Sequence, residues 1–170
     1  MKNIIVFAGF GLALFSLVGF GMLSSDRSGD IDASEADAIQ RMIVQETAAY
    51  FNRDSTALFS FYADDDITQS TWNNAEGSYG TYKGLINIRK NFSAYFRKNP
   101  IPQPQPNIER SQWQFRKLSS DWMWVNFLQK TDGPKGERYT NYETRLLRNV
   151  NNQWKIVVMY SLGDHGHPHP

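Results

Sequence analysis

YETRLLRNVNNQWKIVVMYS, residues 142–161, reads as two β-strands folded back on a tight turn at Asn151-Asn152. Asparagine tolerates the left-handed backbone that a two-residue hairpin turn requires, and the flanks are rich in β-branched, aromatic and aliphatic residues. With the turn placed there, Glu143 faces Tyr160, Arg145 faces Val158 and Leu147 faces Ile156. Asn141, Glu143 and Arg145 lie on one side of their strand, where a carboxylate and a guanidinium two residues apart can pair.

Upstream of this hairpin two more strands are expected, in NIERSQWQFRK (107–117) and DWMWVNFLQKT (121–131), before ERYTNYETRLLRN (137–149) and QWKIVVMYSL (153–162). The joints are Ser119-Ser120, DGPKG and VNNQ, all short, so neighbouring strands pair in order as an antiparallel meander. Pairing Thr131 with Glu137 puts Gln129, Phe127, Val125 and Met123 on the Glu143 side; a one-residue slip would bring in Trp122, Trp124 and Asn126 instead. The strand at 107–117 offers no choice of inward face. WMWVNFL and WKIVVMY are apolar on both parities, so both sheet faces are expected to be covered, one of them by a second copy of the chain.

Helices precede the sheet. Ser34 reads as an N-cap, and Ile39, Met42, Ile43, Thr47, Tyr50 and Phe51 recur at helical spacing to about Asn52. Asp54 caps a short helix, STALFSFYA, which ends at three aspartates, 64–66, before the β-prone ITQSTW. Three consecutive carboxylates diverge on an extended chain, so they read as a solvated turn rather than a metal site. NNAEGSYGTYKG (73–84) reads as loop, and a third helix carries Leu85, Ile88, Phe92, Tyr95 and Phe96 before stopping at Asn99-Pro100. PIPQPQPN (100–107) has proline at alternate positions and reads as a stiff polyproline connector. Helices followed by a sheet make the class α+β.

The ends of the chain are different in kind. Residues 4–23, IIVFAGFGLALFSLVGFGML, form an uncharged apolar run behind Lys2, long enough for a signal peptide or a membrane anchor, with Gly19 and Gly21 as a small-x-small cleavage pattern. Residues 1–25 are accordingly expected to direct export, to the periplasm or outside the cell, with membrane contact only through residues 4–23 if they stay uncleaved. Residues 26–33 form a polar linker, 34–163 the folded domain, and 164–170, DHGHPHP, a tail holding all 3 histidines, His165, His167 and His169. That tail has no rigid element to hold ligands, so no metal site is expected.

Composition narrows the chemistry. Lys and Arg number 18 against 17 Asp and Glu, which gives no basic face for nucleic acid. There are 0 cysteines and no histidine inside the domain, which removes disulfides, thiolate chemistry and Ser-His or Cys-His nucleophiles. The aromatic content, 14%, favours a fold with a cavity or interface to line.

Three stretches, YFNRDSTALFSFYADD (50–65), YKGLINIRKNF (82–92) and the 142–161 hairpin, together resemble the nuclear transport factor 2-like (NTF2-like) superfamily, SnoaL-like proteins included. The E-T-R and W-K-I-V elements are also similar to the association domain of calcium/calmodulin-dependent kinase. The resemblance covers roughly residues 36–163. It implies a cone-shaped, cystatin-like α+β fold: a long N-terminal helix and two shorter helices packed in a curved antiparallel sheet, a pocket inside, and a dimer through the outer sheet face. It also implies that the arginine of E-x-R lines the pocket. The expected pocket is then Tyr50, Trp72, Phe127, Gln129, Asn141, Glu143, Arg145 and Tyr160, with Glu143, Arg145 and Tyr160 the candidate catalytic groups and no cofactor expected.

Function does not follow from that resemblance, whose members include isomerases, cyclases, hydrolases, dehydratases and binders. Steroid-isomerase-like members use a tyrosine and an aspartate where this chain has Thr47 and Ser70, so that chemistry is not expected. The Glu143-Arg145 pair reads either as a self-satisfied structural ion pair or as part of a ligand site. Trp113, Trp122, Trp124 and Trp154 read as core or interface. The leading expectation is an exported dimeric binder of a small, largely apolar ligand, with a carboxylate held by Arg145. The alternatives are a small lyase, isomerase or hydrolase using Glu143 and Arg145, able to open an epoxide or cyclise a polyketide, and a dimerising module without ligand.

Overall fold

A computed structural model describes residues 31–74, 77–132 and 138–164. The apolar run 4–23, residues 133–137 at the DGPKG joint and the histidines lie outside the described residues. Three helices, α1 (Ala33–Phe51), α2 (Ser55–Ser60) and α3 (Leu85–Lys98), pack on a sheet of β1 (Gln69–Asn73), β2 (Tyr79–Lys83), β3 (Glu109–Lys117), β4 (Trp122–Asp132), β5 (Arg138–Val150) and β6 (Gln153–Asp164). The strand order is β2-β1-β6-β5-β4-β3, so the expected meander forms its larger part.

Local chemistry fixes the helix ends. Asp32, not Ser34, caps α1, its Oδ1 accepting from the Ser34 N–H at 2.9 Å. Asp54 caps α2 through the Ala57 N–H at 2.9 Å. Ile39 and Ile43 of α1, Leu58 of α2, Leu85, Ile88, Phe92 and Phe96 of α3, and Met123, Val125, Phe127, Leu147 and Ile156 of the sheet form one core. Burying such side chains stabilises by about 1.5–3 kcal/mol each.

Three expectations need correction. The stretch read as loop contains β2, which pairs antiparallel with β1, Trp72 opposite Gly80. β2 escaped notice because its YGTYK leaves Tyr79 and Lys83 exposed and has glycine where an apolar residue would mark a strand. Gly80 is required there: a Cβ would fall on the Trp72 indole. Second, β1 runs parallel to β6, so the sheet is mixed at that joint and antiparallel elsewhere.

The third correction is register. The last hairpin begins as expected, with Val150 opposite Gln153 across Asn151 and Asn152 (φ 53° and 61°) and Leu147 opposite Ile156. The register then shifts at Leu146/Leu147, leaving Val157 as the extra residue on β6, with Ile156 and Val157 both fully buried. Beyond the bulge Glu143 pairs with Ser161 and Tyr160 with Thr144, so Tyr160 moves to the outer face. The β4–β5 register pairs Thr131 with Tyr139 rather than Glu137. That two-residue difference preserves parity, and Met123, Val125, Phe127 and Gln129 all share the inner face with Glu143 and Arg145.

Candidate ligand-binding pocket

Strand register arranges the inner face in rows. Gln129 lies beside Asn141, Phe127 beside Glu143 and Ser161, and Val125 beside Arg145 and Met159. Over these rows α1 places Glu46 and Thr47 and, one helical turn on, Tyr50, and α3 adds Phe92 and Tyr95. Trp72 and Tyr82 close the remaining side, in edge contact with each other at 4.9 Å between ring centroids. The cavity, open on one side, measures about 510 Å³, and Glu46, Gln129, Asn141, Glu143, Arg145 and Ser161 are among the polar residues lining it.

The polar floor is a connected network. Arg145 Nη1 donates to Glu143 Oε2 at 2.8 Å and to the Thr144 and Tyr160 carbonyls at 3.0 and 3.3 Å. Ser161 Oγ donates to Glu143 Oε1 at 2.7 Å, and Asn141 Nδ2 donates to Ser161 Oγ at 3.3 Å. Both members of the ion pair are buried, with side chains 4% and 1% exposed, and the bonds to Arg145 Nη1 and to both Glu143 oxygens offset part of the cost of that burial. Burial alone would lower the Arg145 guanidinium, but Glu143 and then Glu46 hold it above its ordinary value. Two atoms of this floor, Arg145 Nε and Gln129 Oε1, are buried without a hydrogen-bond partner among the described residues.

Glu46 is the residue the sequence reading overlooked. It lies on the buried stripe of α1, three and four residues beyond Ile43 and Met42, where a carboxylate interrupting an apolar face was the available signal. Tyr62 Oη donates to Glu46 Oε1 at 3.1 Å and Thr47 Oγ1 lies 3.4 Å from Oε2. Burial pushes the Glu46 carboxyl up, more than Arg145 and Tyr62 pull it down. The Tyr62 phenol is likewise raised, by its burial and then by Glu46.

Of the eight expected pocket residues, Tyr50, Trp72, Gln129, Asn141, Glu143 and Arg145 line the cavity. Tyr50 is nearly parallel to Tyr95, ring centroids 6.2 Å apart, and its phenol is raised by burial and by Tyr95. Phe127 lies beneath the floor, stacked on Trp113 at 4.2 Å with the Arg145 guanidinium 5.6 Å above its ring. Tyr160 is on the other side of the sheet, its hydroxyl accepting from Gln69 Nε2 at 3.2 Å, and Ser161 occupies the inner place beside Glu143. Thr47 Oγ1 donates to the Ile43 carbonyl at 2.9 Å, and Ser70 is buried against the Met159 sulfur. Asp65 pairs with Arg148 at 3.0 Å and caps the Ile67 N–H, which explains one member of the aspartate run as a turn-former. Among the described residues no cluster of three metal-ligating side chains occurs.

No family model matches the chain, and neither does any curated protein. Solved structures do. A protein of unknown function with a cystatin-like fold from Nostoc punctiforme superposes with a TM-score of 0.63 at 13% identity, covering 82% of this chain and 98% of that one. An NTF2-like protein of unknown function from Shewanella oneidensis gives 0.57 at 17%, covering 75% and 98%. A ketosteroid isomerase-like protein from Erwinia carotovora atroseptica gives 0.53 at 14%, covering 78% and 98%. The chain therefore has the NTF2-like, cystatin-like α+β fold; identities this low carry the fold and not the activity.

Proposed function

We propose that this protein binds a small, largely apolar organic ligand in the cone, after export and as a homodimer. The supporting observation is the cavity of about 510 Å³ with aromatic walls and a polar floor, on which Arg145 Nε and Gln129 Oε1 have no partner among the described residues. Its size lies within the range of about 300–1,000 Å³ usual for ligand pockets. Tyr50, Trp72, Tyr82, Phe92 and Tyr95 receive the apolar body, and the floor fixes a polar end: a carboxylate oxygen on Arg145, a hydroxyl or amide N–H on Gln129. Export rests on the apolar run 4–23 and the dimer on the outer sheet face.

A thermal-shift screen of hydrophobic metabolites and organic acids tests this reading. Removing Arg145 alone strands Glu143 at a cost of about 3–5 kcal/mol, so the comparison is wild type against the double variant Glu143→Gln/Arg145→Met. Ligands that stabilise the wild type and not the double variant are expected. A broad panel without a single ligand-dependent shift overturns the reading.

Glu46 favours a second reading, a small hydrolase, lyase or isomerase. A carboxyl that keeps its proton to higher pH and the Arg145-paired carboxylate of Glu143 offer a general acid and a general base at one floor. Water-driven opening of an epoxide is chemistry this set can perform. Turnover abolished by both Glu46→Gln and Glu143→Gln would put this reading first.

A further inference from the structure

A smaller cavity of about 260 Å³ lies on the far side of Thr47 and Phe51 from the large pocket, between α1 and the proline-rich connector. Val44, Ala48, Pro104, Pro106 and Ile108 give it apolar walls, and it opens at the surface along Val44, 48% exposed, and Ala48. The connector is held as a wall: Gln103 N–H donates to the Phe51 carbonyl at 2.9 Å and Arg53 Nη2 to Gln103 Oε1 at 3.1 Å. One charged side chain lines this cavity, Arg110 of β3.

Arg110 differs from the other inward or bridging arginines. Arg53, Arg138, Arg145 and Arg148 each have hydrogen-bonded acceptors. Arg110 Nε and Nη2 are buried and have none among the described residues. These two nitrogens form one edge of the guanidinium, with parallel N–H bonds spaced to meet both oxygens of a carboxylate. Glu143 and Glu46 lie close enough to act on Arg110 electrostatically, yet they are engaged by Arg145 and Ser161, and by Tyr62.

We propose that the cavity between α1 and the proline-rich connector is a second binding site, in which the Nε/Nη2 edge of Arg110 holds the carboxylate of a short-chain organic acid. The acid's hydrocarbon part lies against Val44, Ala48, Phe51 and the prolines. The volume, below that of ordinary ligand pockets, restricts the site to acids of a few carbons. Both nitrogens are shielded from solvent, so they face away from the open space, and binding includes a turn of the guanidinium that brings this edge to the cavity that the Arg110 side chain lines. The competing partner is internal. Gln129 pairs with Arg110 across β3 and β4 and its Oε1 is unpaired, so rotation of that amide could close the edge without any ligand.

Calorimetric titration of the full chain with butyrate, and with butylamine as a cationic control, tests the proposal. Butyrate is expected to bind saturably and butylamine not at all. Arg110→Lys, which keeps the charge and loses the two-pronged edge, weakens butyrate by about tenfold or more. Val44→Trp, a surface change that fills the cavity, abolishes binding, while Glu143→Gln/Arg145→Met, which removes one charge of each sign near Arg110, keeps it within a few-fold. Absence of saturable binding to the wild type overturns the proposal. Equal affinity in Arg110→Lys and Val44→Trp also overturns it. Loss only in the large-pocket double variant does so too, placing the acid on Arg145. Failure of the larger pocket to bind anything leaves these outcomes readable, because neither Arg110 nor Val44 lines it.

Discussion

At the scale of residues, Glu46 carries the sharpest consequence. Its carboxyl is raised in the folded protein by burial, against the smaller opposing pulls of Arg145, Tyr62 and Thr47 and with the help of Glu143. A group whose folded pKa lies above its unfolded value contributes stability that is complete below the unfolded pKa and lost as pH rises through the folded pKa. Glu46→Gln keeps shape and hydrogen bonding but cannot ionise. The variant is expected to melt higher than wild type, by a few degrees, on the alkaline side of that transition, and the melting temperatures should converge toward acid pH. Parallel melting curves against pH for the two proteins would remove Glu46 as the titrating group. Glu143 and Arg145 were legible in sequence because a two-residue spacing on a strand fixes a shared face whatever the register. Glu46 was not, because a helical stripe recognised by its apolar members hides the charged residue among them. Tyr160 was misplaced for a different reason: its face depends on every residue between it and the turn, and one bulge reverses it.

At the scale of elements, the last hairpin shows where sequence reasoning holds and where it stops. Asn151-Asn152 defines the turn because both residues must take positive φ, and the pairs nearest the turn follow from it. The bulge lies inside Ile156-Val157-Val158, three adjacent apolar residues whose lack of alternation conceals which one is extra. β2 was hidden by glycine and exposed polar positions, although Gly80 itself makes room for Trp72. The turn gives a direct test. Asn152 has φ 61°, a conformation glycine adopts without Cβ strain, and Asn-Gly is the preferred pair for such turns. Relief of a left-handed Cβ penalty of about 1–2 kcal/mol exceeds the extra unfolded-state entropy of glycine, about 0.5–1 kcal/mol, so Asn152→Gly is expected to stabilise the protein by about 0.5–1 kcal/mol in urea unfolding, with the slope on denaturant unchanged. Destabilisation by that substitution would mean that the Asn152 side chain, and not its backbone, holds the hairpin.

At the scale of the whole molecule, the question is what covers the outer sheet face. The class, the order of elements and the two-sided apolar character of β4 and β6 were all legible, because periodicity and short joints report them directly. The mixed joint of β1 with β6 was not, since a parallel pairing leaves no turn in the sequence. In the single chain the helices cover only the inner face. On the outer face Trp124, Tyr142 and Leu162 are 38%, 60% and 47% exposed, with Trp122, Leu128, Leu146, Val158 and Tyr160 half-buried among them. Contiguous aromatic and aliphatic side chains from three neighbouring strands are expensive to leave in water and uncommon on monomers unless they form a contact. A two-fold pairing of this face with its copy buries the same residues twice, which is the most economical cover for one repeated chain. Sedimentation of the wild type is therefore expected to give a dimer. Trp124→Arg, which sets a charge in the middle of the face while leaving the inner core untouched, should give a folded monomer. A wild type that sediments as a monomer at every concentration would leave this face to a different partner. A dimer unaffected by Trp124→Arg would move the contact to another surface.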